Sequence, residues 1–255
     1  MTDLDPPAML DRPDGSPIAY RLGPGTKDGR LPSLVFLPGF ASDMAGTKAT
    51  ALAGWAQARG QALLRFDYSG HGLSGGRFRD GTIGRWTDDA LAVIDALTSG
   101  PQILVGSSMG GWIMLLVALA RPARIAGLVG IAAAPDFTED LMWNKFHPET
   151  RARLEAEGSV LAPSRYGEPY PLTRALIEDG RRHLLLRRSI DLRCRTRLLH
   201  GMADADVPWQ TSLRLAEQFA GNDVTVTLIK DGDHRLSRDE DLRRMFAAVE
   251  EITAG

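Results

Sequence analysis

Several things this 255-residue chain lacks narrow what it can be. It has a single cysteine, Cys194, so no internal disulfide can form. That fits a reducing compartment, and the residue itself reads as a small structural hydrophobe. Long apolar runs are missing as well. The longest, WIMLLVALA at 112–120, falls far short of the ~20 residues of a membrane-spanning helix. The opening MTDLDPPAML is acidic and proline-bearing, without the basic and apolar stretches of a secretory signal. A formal net charge of −2 supplies no overall field to draw nucleic acid or an anionic membrane surface. No paired Cys/His spacing suggests a metal centre, and there is no internal repeat or low-complexity tract. These absences predict a soluble, cytoplasmic enzyme with no nucleic-acid partner, no membrane span and no metal.

What remains is an alternation of short apolar runs with helix-period segments, the pattern of a mainly parallel central sheet flanked by helices. SLVFLPG (33–39), ALLRFDY (62–68), QILVGS (102–107), IAGLVGIAAAP (125–135), RTRLLHG (195–201) and VTVTLIK (224–230) read as strands. A helix through 44–60 should end near Gly60. TIGRWTDDALAVIDAL (82–97) places Ile83, Trp86, Ala90, Val93 and Leu97 on one face. Another helix should end near Gly221. The last opens with Ser237 and Glu240 in capping-box spacing and carries a Leu242, Met245, Phe246, Val249, Ile252 stripe. Residues 136–190 break the alternation: they show no convincing strand, several prolines, and the large side chains Phe137, Trp143, Phe146, Tyr166 and Tyr170. We therefore expect 1–135 and 191–255 to form the α/β core and 136–190 to form a helical lid. Trp143, Phe146 and Tyr166 are its expected substrate contacts.

Chemistry is written most sharply at Gly106-Ser107-Ser108-Met109-Gly110, a G-x-S-x-G pattern between a strand and a helix. Such a turn leaves room only for small neighbours, projects the central serine, Ser108, from the sheet, and sets a helix N-terminus beneath it. A serine hydroxyl needs a base to become a nucleophile near neutral pH. Of the five histidines, His234 lies in KDGDHRLS, a loop between the last strand and the last helix, where α/β folds carry reactive groups. His71 and His200 read as turn residues, and His147 and His183 fall in the expected lid. A buried acid should lie between 108 and 234 and follow a strand. HGMADADVP, at 200–208, offers Asp204 and Asp206. The oxyanion needs two donors, expected from the backbone N–H of Met109 and that of Phe40 in LPGF.

Two further motifs have plainer readings. Gly70-His71-Gly72-Leu73-Ser74-Gly75 spells the dinucleotide fingerprint, but GRFRDG separates it from the next helix, so a loop capping the sheet explains it better. RRHLLLRR (181–188) is expected to be a solvated helix face, with an anion-holding role as its alternative.

Taken together, FLPGFASDMAGTKA, RFDYSGHGLSGG, GSSMGGW and LLHGMADADVPWQTS resemble the serine α/β-hydrolase superfamily over residues 18–253. They are most similar to the branch that includes mitochondrial acyl-protein thioesterases, also described as acyl-glucuronide esterases. That resemblance implies Ser108 as nucleophile, His234 as base, and Asp204, four residues after the histidine of the His-Gly pair, as acid. Pro208 suits the first turn of the next helix, which leaves Asp206 as a turn or capping acceptor. The resemblance also implies hydrolysis of thioesters or esters of long or aromatic acyl groups, on a small-molecule or acylated substrate, without metal or organic cofactor. Acyl transfer, C–C bond hydrolysis and a non-catalytic ligand clamp are the rival readings.

Overall fold

The computed structural model describes residues 6–13, 15–26, 31–163 and 169–254. In chain order its elements are β1 (Ala8–Leu10), β2 (Ile18–Gly23), β3 (Ser33–Leu37), α1 (Thr47–Ala58), β4 (Leu63–Phe66), α2 (Ile83–Leu97), β5 (Gln102–Ser107), α3 (Met109–Ala120) and β6 (Ile125–Ile131). There follow α4 (Pro148–Glu157), β7 (Ser159–Ala162), β8 (Tyr170–Thr173), α5 (Arg174–Arg181), β9 (Arg195–Gly201), α6 (Gln210–Gln218), β10 (Val224–Ile229) and α7 (Asp239–Thr253). Eight strands form one sheet in the order β1-β2-β4-β3-β5-β6-β9-β10. Its pairings are parallel from β4 to β10, while β1 and β2 are antiparallel at one edge. The expected mainly parallel sheet flanked by helices is what forms. The edge strands β1 and β2 go beyond the sequence reading, which begins the sheet at residue 33.

Each central strand is buried on both faces, which is why it reads as a continuous apolar run. Side chains still alternate between two cores. Val35, Leu37, Leu104 and Leu128 meet Ile83, Trp86, Ala90 and Val93 of α2 and the apolar α3. Leu34, Phe36, Ile103, Val105 and Val129 meet Leu52 of α1 and Met245, Val249 and Ile252 of α7. Thr82 caps α2, its Oγ1 accepting the Arg85 N–H at 3.2 Å. The capping at α7 sits one residue later than expected: the Asp241 carboxylate, not that of Glu240, accepts the Arg238 N–H at 3.3 Å.

The chain leaves β3 to form β4 on one side and then crosses to β5 on the other. This reversal opens a crevice between the carboxyl ends of β3 and β5, where α/β sheets hold ligands. The loop carrying Phe40 and the turn carrying Ser108 meet there.

Between β6 and β9 the expectation of no strand is corrected. β7 and β8 form an antiparallel hairpin with Leu161 opposite Pro171. Proline argues against a strand inside a sheet, but a two-stranded ribbon is all edge and tolerates the missing N–H. RRHLLLRR is not a solvated helix face either. Only Arg181 belongs to α5; Leu185 and Leu186 are buried. Their N–H groups donate to the fully buried Asp136 carboxylate at 2.7 and 2.9 Å. Arg187 pairs with Asp136 and Asp140, and Arg181 with Glu139. This cationic run fastens the segment down.

Candidate active site

Ser108 sits between β5 and α3 with φ 54° and ψ −119°. This left-handed conformation is uncommon for a side chain larger than glycine and recurs at functional turns. The flanking glycines make it possible. A Cβ on Gly106 would lie 2.5 Å from the Gly110 carbonyl oxygen, and one on Gly110 would lie 2.0 Å from that of Leu37. Helix α3 therefore starts directly under Ser108 and points its positive end at the reacting atoms.

His234, in the loop after β10, has Nε2 3.1 Å from Ser108 Oγ. Its Nδ1–H donates to Asp204 Oδ2 at 2.7 Å. Three strand ends thus deliver one line of atoms, Ser108 Oγ to His234 to Asp204. Of the two aspartates, Asp204 is the one whose carboxylate meets His234. Asp206 turns its N–H to Asp204 Oδ1 at 2.8 Å, and the Val207 N–H does the same at 2.8 Å. Helix α6 opens at Gln210, so Asp206 lies too far back to cap it. Burial alone would raise the Asp204 pKa, but hydrogen bonds from His200 and His234, and that of Val207, outweigh it and hold the carboxyl well below the usual range.

His200 is more than the strand-ending turn residue its sequence suggests. It is completely buried. Its Nε2 faces two acceptors, Asp204 Oδ2 at 3.2 Å and Val207 O at 3.1 Å, so that nitrogen carries the proton. Its Nδ1 is hydrogen-bonded to Ser212 Oγ at 2.7 Å. The i, i+4 spacing of His200 and Asp204 was the available signal for this second donor to the acid.

Met109 is the first residue of α3, so its N–H has no intrahelical acceptor. In the loop after β3, Ser42 N–H donates to Gly39 O at 3.2 Å and Ala41 N–H to His71 Nε2 at 3.2 Å. Phe40 N–H stands outside these bonds. A cavity of about 440 Å³ lies beside Ser108 and His234, walled by the Pro38–Asp43 loop, Lys48 and Arg235. Burial, with Arg235 adding, lowers the Lys48 pKa to about 8 against the pull of Asp233 and Asp241. Lys48 Nζ donates to the Arg235 carbonyl, tying α1 to the His234 loop.

Above the crevice, the Phe40 ring meets Phe137 and Tyr170 edge-on, with centroids 5.8 and 5.1 Å apart. Phe78 and Trp86 meet the same ring at 5.0 and 5.7 Å, and no ring contact joins Phe40 to Trp143 or Phe146, the aromatics expected to touch substrate. Trp143 instead carries the guanidinium groups of Arg181 and Arg151 on its ring at 4.7 and 5.3 Å. Phe146 packs against the core. Tyr166 lies outside the described residues. As to metals, donor atoms of Asp204, Asp206 and His234 come within 4.8 Å of one another. Two of the three residues are already bonded to each other at 2.7 Å, so an ion there would compete with the Ser108–His234–Asp204 line.

Fold and site together define an α/β-hydrolase. The family model of serine aminopeptidase, S33, matches residues 31–175, and the chain belongs to that family. Among curated relatives it is 40% identical over 247 residues to the mitochondrial palmitoyl-protein thioesterase ABHD10 of Bos taurus, covering 96% of this chain and 79% of the relative. The Homo sapiens protein matches at the same identity and coverage. Among solved structures, a hydrolase from Agrobacterium vitis S4 superposes with a TM-score of 0.92 at 44% identity, covering 97% of both chains. Mouse alpha/beta hydrolase domain-containing protein 10 gives 0.88 at 38%, covering 96% of this chain and 97% of that one. The mammalian relatives are mitochondrial proteins, which overturns the cytoplasmic assignment drawn from composition. Among the described residues no helix is long and apolar enough to cross a membrane.

Proposed function

We propose that this chain hydrolyses carboxylic esters or thioesters through an acyl-Ser108 intermediate. Ser108 Oγ attacks the carbonyl carbon while His234 Nε2 takes its proton, and Asp204 stabilises the imidazolium and fixes its orientation. The N–H groups of Phe40 and Met109 hold the oxyanion. Collapse expels the alcohol or thiol, which leaves with the proton from His234. Water then attacks the acyl carbonyl, again deprotonated by His234, and Ser108 is released. The observation that carries this reading is the unbroken line from Ser108 Oγ through His234, 3.1 and then 2.7 Å, to the buried carboxylate of Asp204.

In this reading 1–135 and 191–255 are the catalytic core and 136–190 the lid. Phe137 and Tyr170, edge-on to Phe40, make it a roof over the acyl site. The similarity to palmitoyl-protein thioesterases supports an acylated substrate. Turnover of p-nitrophenyl esters and acyl thioesters by Ser108→Ala tests the proposal. Activity should fall ~10⁴-fold or more, leaving only oxyanion and binding contributions. Undiminished turnover would overturn it.

A further inference from the structure

The stretch from Asp67 to Gly75, between β4 and α2, grips the loop after β3 at two points. Asp67 Oδ1 accepts the Met44 N–H at 2.7 Å, while Oδ2 accepts the Leu73 N–H of its own loop at 2.8 Å. Four residues along, His71 Nε2 accepts the Ala41 N–H at 3.2 Å. Gly72 lets the chain fold this tightly over the carboxylate: its φ is +47°, and a Cβ there would fall 2.1 Å from Asp67 Oδ2. The G-x-G-x-x-G stretch is thus a splint for a neighbouring loop.

The chemistry of the His71 ring is fixed by what surrounds it. Nδ1 lies 3.4 Å from the Ser69 carbonyl, which needs a donor, and Nε2 faces an N–H, which needs an acceptor. Only the neutral Nδ1–H tautomer answers both. Burial lowers the pKa to about 4, against the opposing influence of the Ser69 carbonyl and Asp43, so the ring stays neutral at physiological pH. Rings of Phe78, Trp86 and Tyr68 box it in, with centroids 5.0, 5.1 and 5.8 Å away. Its partner Ala41 has φ +53°, which a non-glycine residue holds only where its surroundings impose it.

We propose that His71 is a positioning residue for the oxyanion site: by accepting the Ala41 N–H it locks the Phe40–Ala41 turn and keeps the Phe40 N–H aimed at the developing oxyanion. This rests on the reading of Phe40 N–H as an oxyanion donor. His71 moves no proton in the reaction; it acts through the backbone of the loop it holds.

Two variants separate this role from plain packing. His71→Phe keeps a ring inside the aromatic box and removes the acceptor, while His71→Gln returns an acceptor at the end of the side chain. For His71→Phe we expect kcat on a p-nitrophenyl ester to fall roughly 10- to 100-fold, below the ~10²–10³ of losing a donor outright. KM should stay within about twofold, because ground-state binding is untouched. The Ki of a trifluoromethyl ketone, which forms a hemiketal oxyanion on Ser108, should rise by the same factor as kcat falls, while the lost hydrogen bonds lower Tm but leave the protein fully folded at the assay temperature. His71→Gln should recover most of both. Unchanged kcat and Ki in His71→Phe would overturn the proposal, as would a loss accounted for by unfolded protein at the assay temperature or one that His71→Gln fails to repair. Ser108→Ala in the same assay distinguishes the failures. If it is inert while His71→Phe is normal, the positioning role alone falls. If Ser108→Ala is active, both readings fall.

Discussion

The loops at the strand ends and the segment roofing them are held by different physics. Ser108, His234 and Asp204 are joined by hydrogen bonds of 3.1 and 2.7 Å, and every acceptor of Asp204 is engaged by His200, His234, Asp206 or Val207. Such a network has one arrangement, because leaving any buried polar member unpaired is costly. The segment 136–190 is pinned by Asp136 with Arg187 and by Asp179, whose carboxylate accepts the Gly84 N–H at 2.7 Å, and it meets the Phe40 ring through the edges of Phe137 and Tyr170. Aromatic edge contacts tolerate repacking as hydrogen-bonded carboxylates do not. In the proposed reading, the hydrogen-bonded residues set the chemistry and the aromatic edges beside Phe40 set the choice of substrate.

Breaking the rigid half should produce the largest effects. Asp204→Asn removes the acceptor that fixes His234 and should lower kcat ~10⁴-fold, whereas Asp206→Asn should stay within a few-fold. Ester kinetics on the two purified variants check this, and the reverse ranking would reassign the acid. Asp204 also links stability to pH. Its folded pKa is depressed, so its contribution is present above the unfolded value of ~3.9 and is lost as pH falls below it. Acid-unfolding curves of Asp204→Asn should lack that component.

The fastened base of the roof should respond in stability rather than chemistry. Arg187→Ala strips the ion pair from buried Asp136 but leaves its two N–H donors. We expect a loss of about 1–3 kcal/mol by urea unfolding, with turnover of a short p-nitrophenyl ester nearly unchanged. The smallest effect should come from the roof's edge. Tyr170→Ala should shift KM and the preferred acyl length by a few-fold while kcat on a short ester holds. Trp143→Ala, whose ring serves Arg151 and Arg181, should alter Tm and leave that profile alone. An acyl-length series across both variants decides it, and a profile shift with Trp143→Ala instead would relocate the substrate contact.

This same division governs how much the sequence discloses. Ser108 was legible because a Cβ on Gly106 or Gly110 would fall 2.5 or 2.0 Å from a backbone carbonyl oxygen, so glycine is required at both places and leaves a spacing in the chain. His234 follows from its loop after the last strand. The choice of Asp204 over Asp206 needed resemblance, since two aspartates two residues apart look alike until one is seen to face the ring. His200 lies at the end of β9 with local bonds to Asp204 and Val207, but its burial between that acid and Ser212 is a tertiary fact at which only the i, i+4 spacing hints. In the roof, β7 and β8 were hidden by prolines that a two-stranded ribbon accepts. The short edge strands β1 and β2 are an antiparallel addition that the β/α alternation does not require. Trp143 and Phe146 were chosen by size, and size does not disclose that the Trp143 ring also carries two guanidinium groups.

The central claim is a covalent acyl-Ser108 intermediate. Mixing the protein with a p-nitrophenyl ester, quenching in acid within the first turnover and mapping the digest by mass spectrometry tests it directly. The account predicts a burst of p-nitrophenol and the acyl mass on the peptide containing Ser108. No adduct during turnover, or an adduct on another residue such as Cys194, would contradict it.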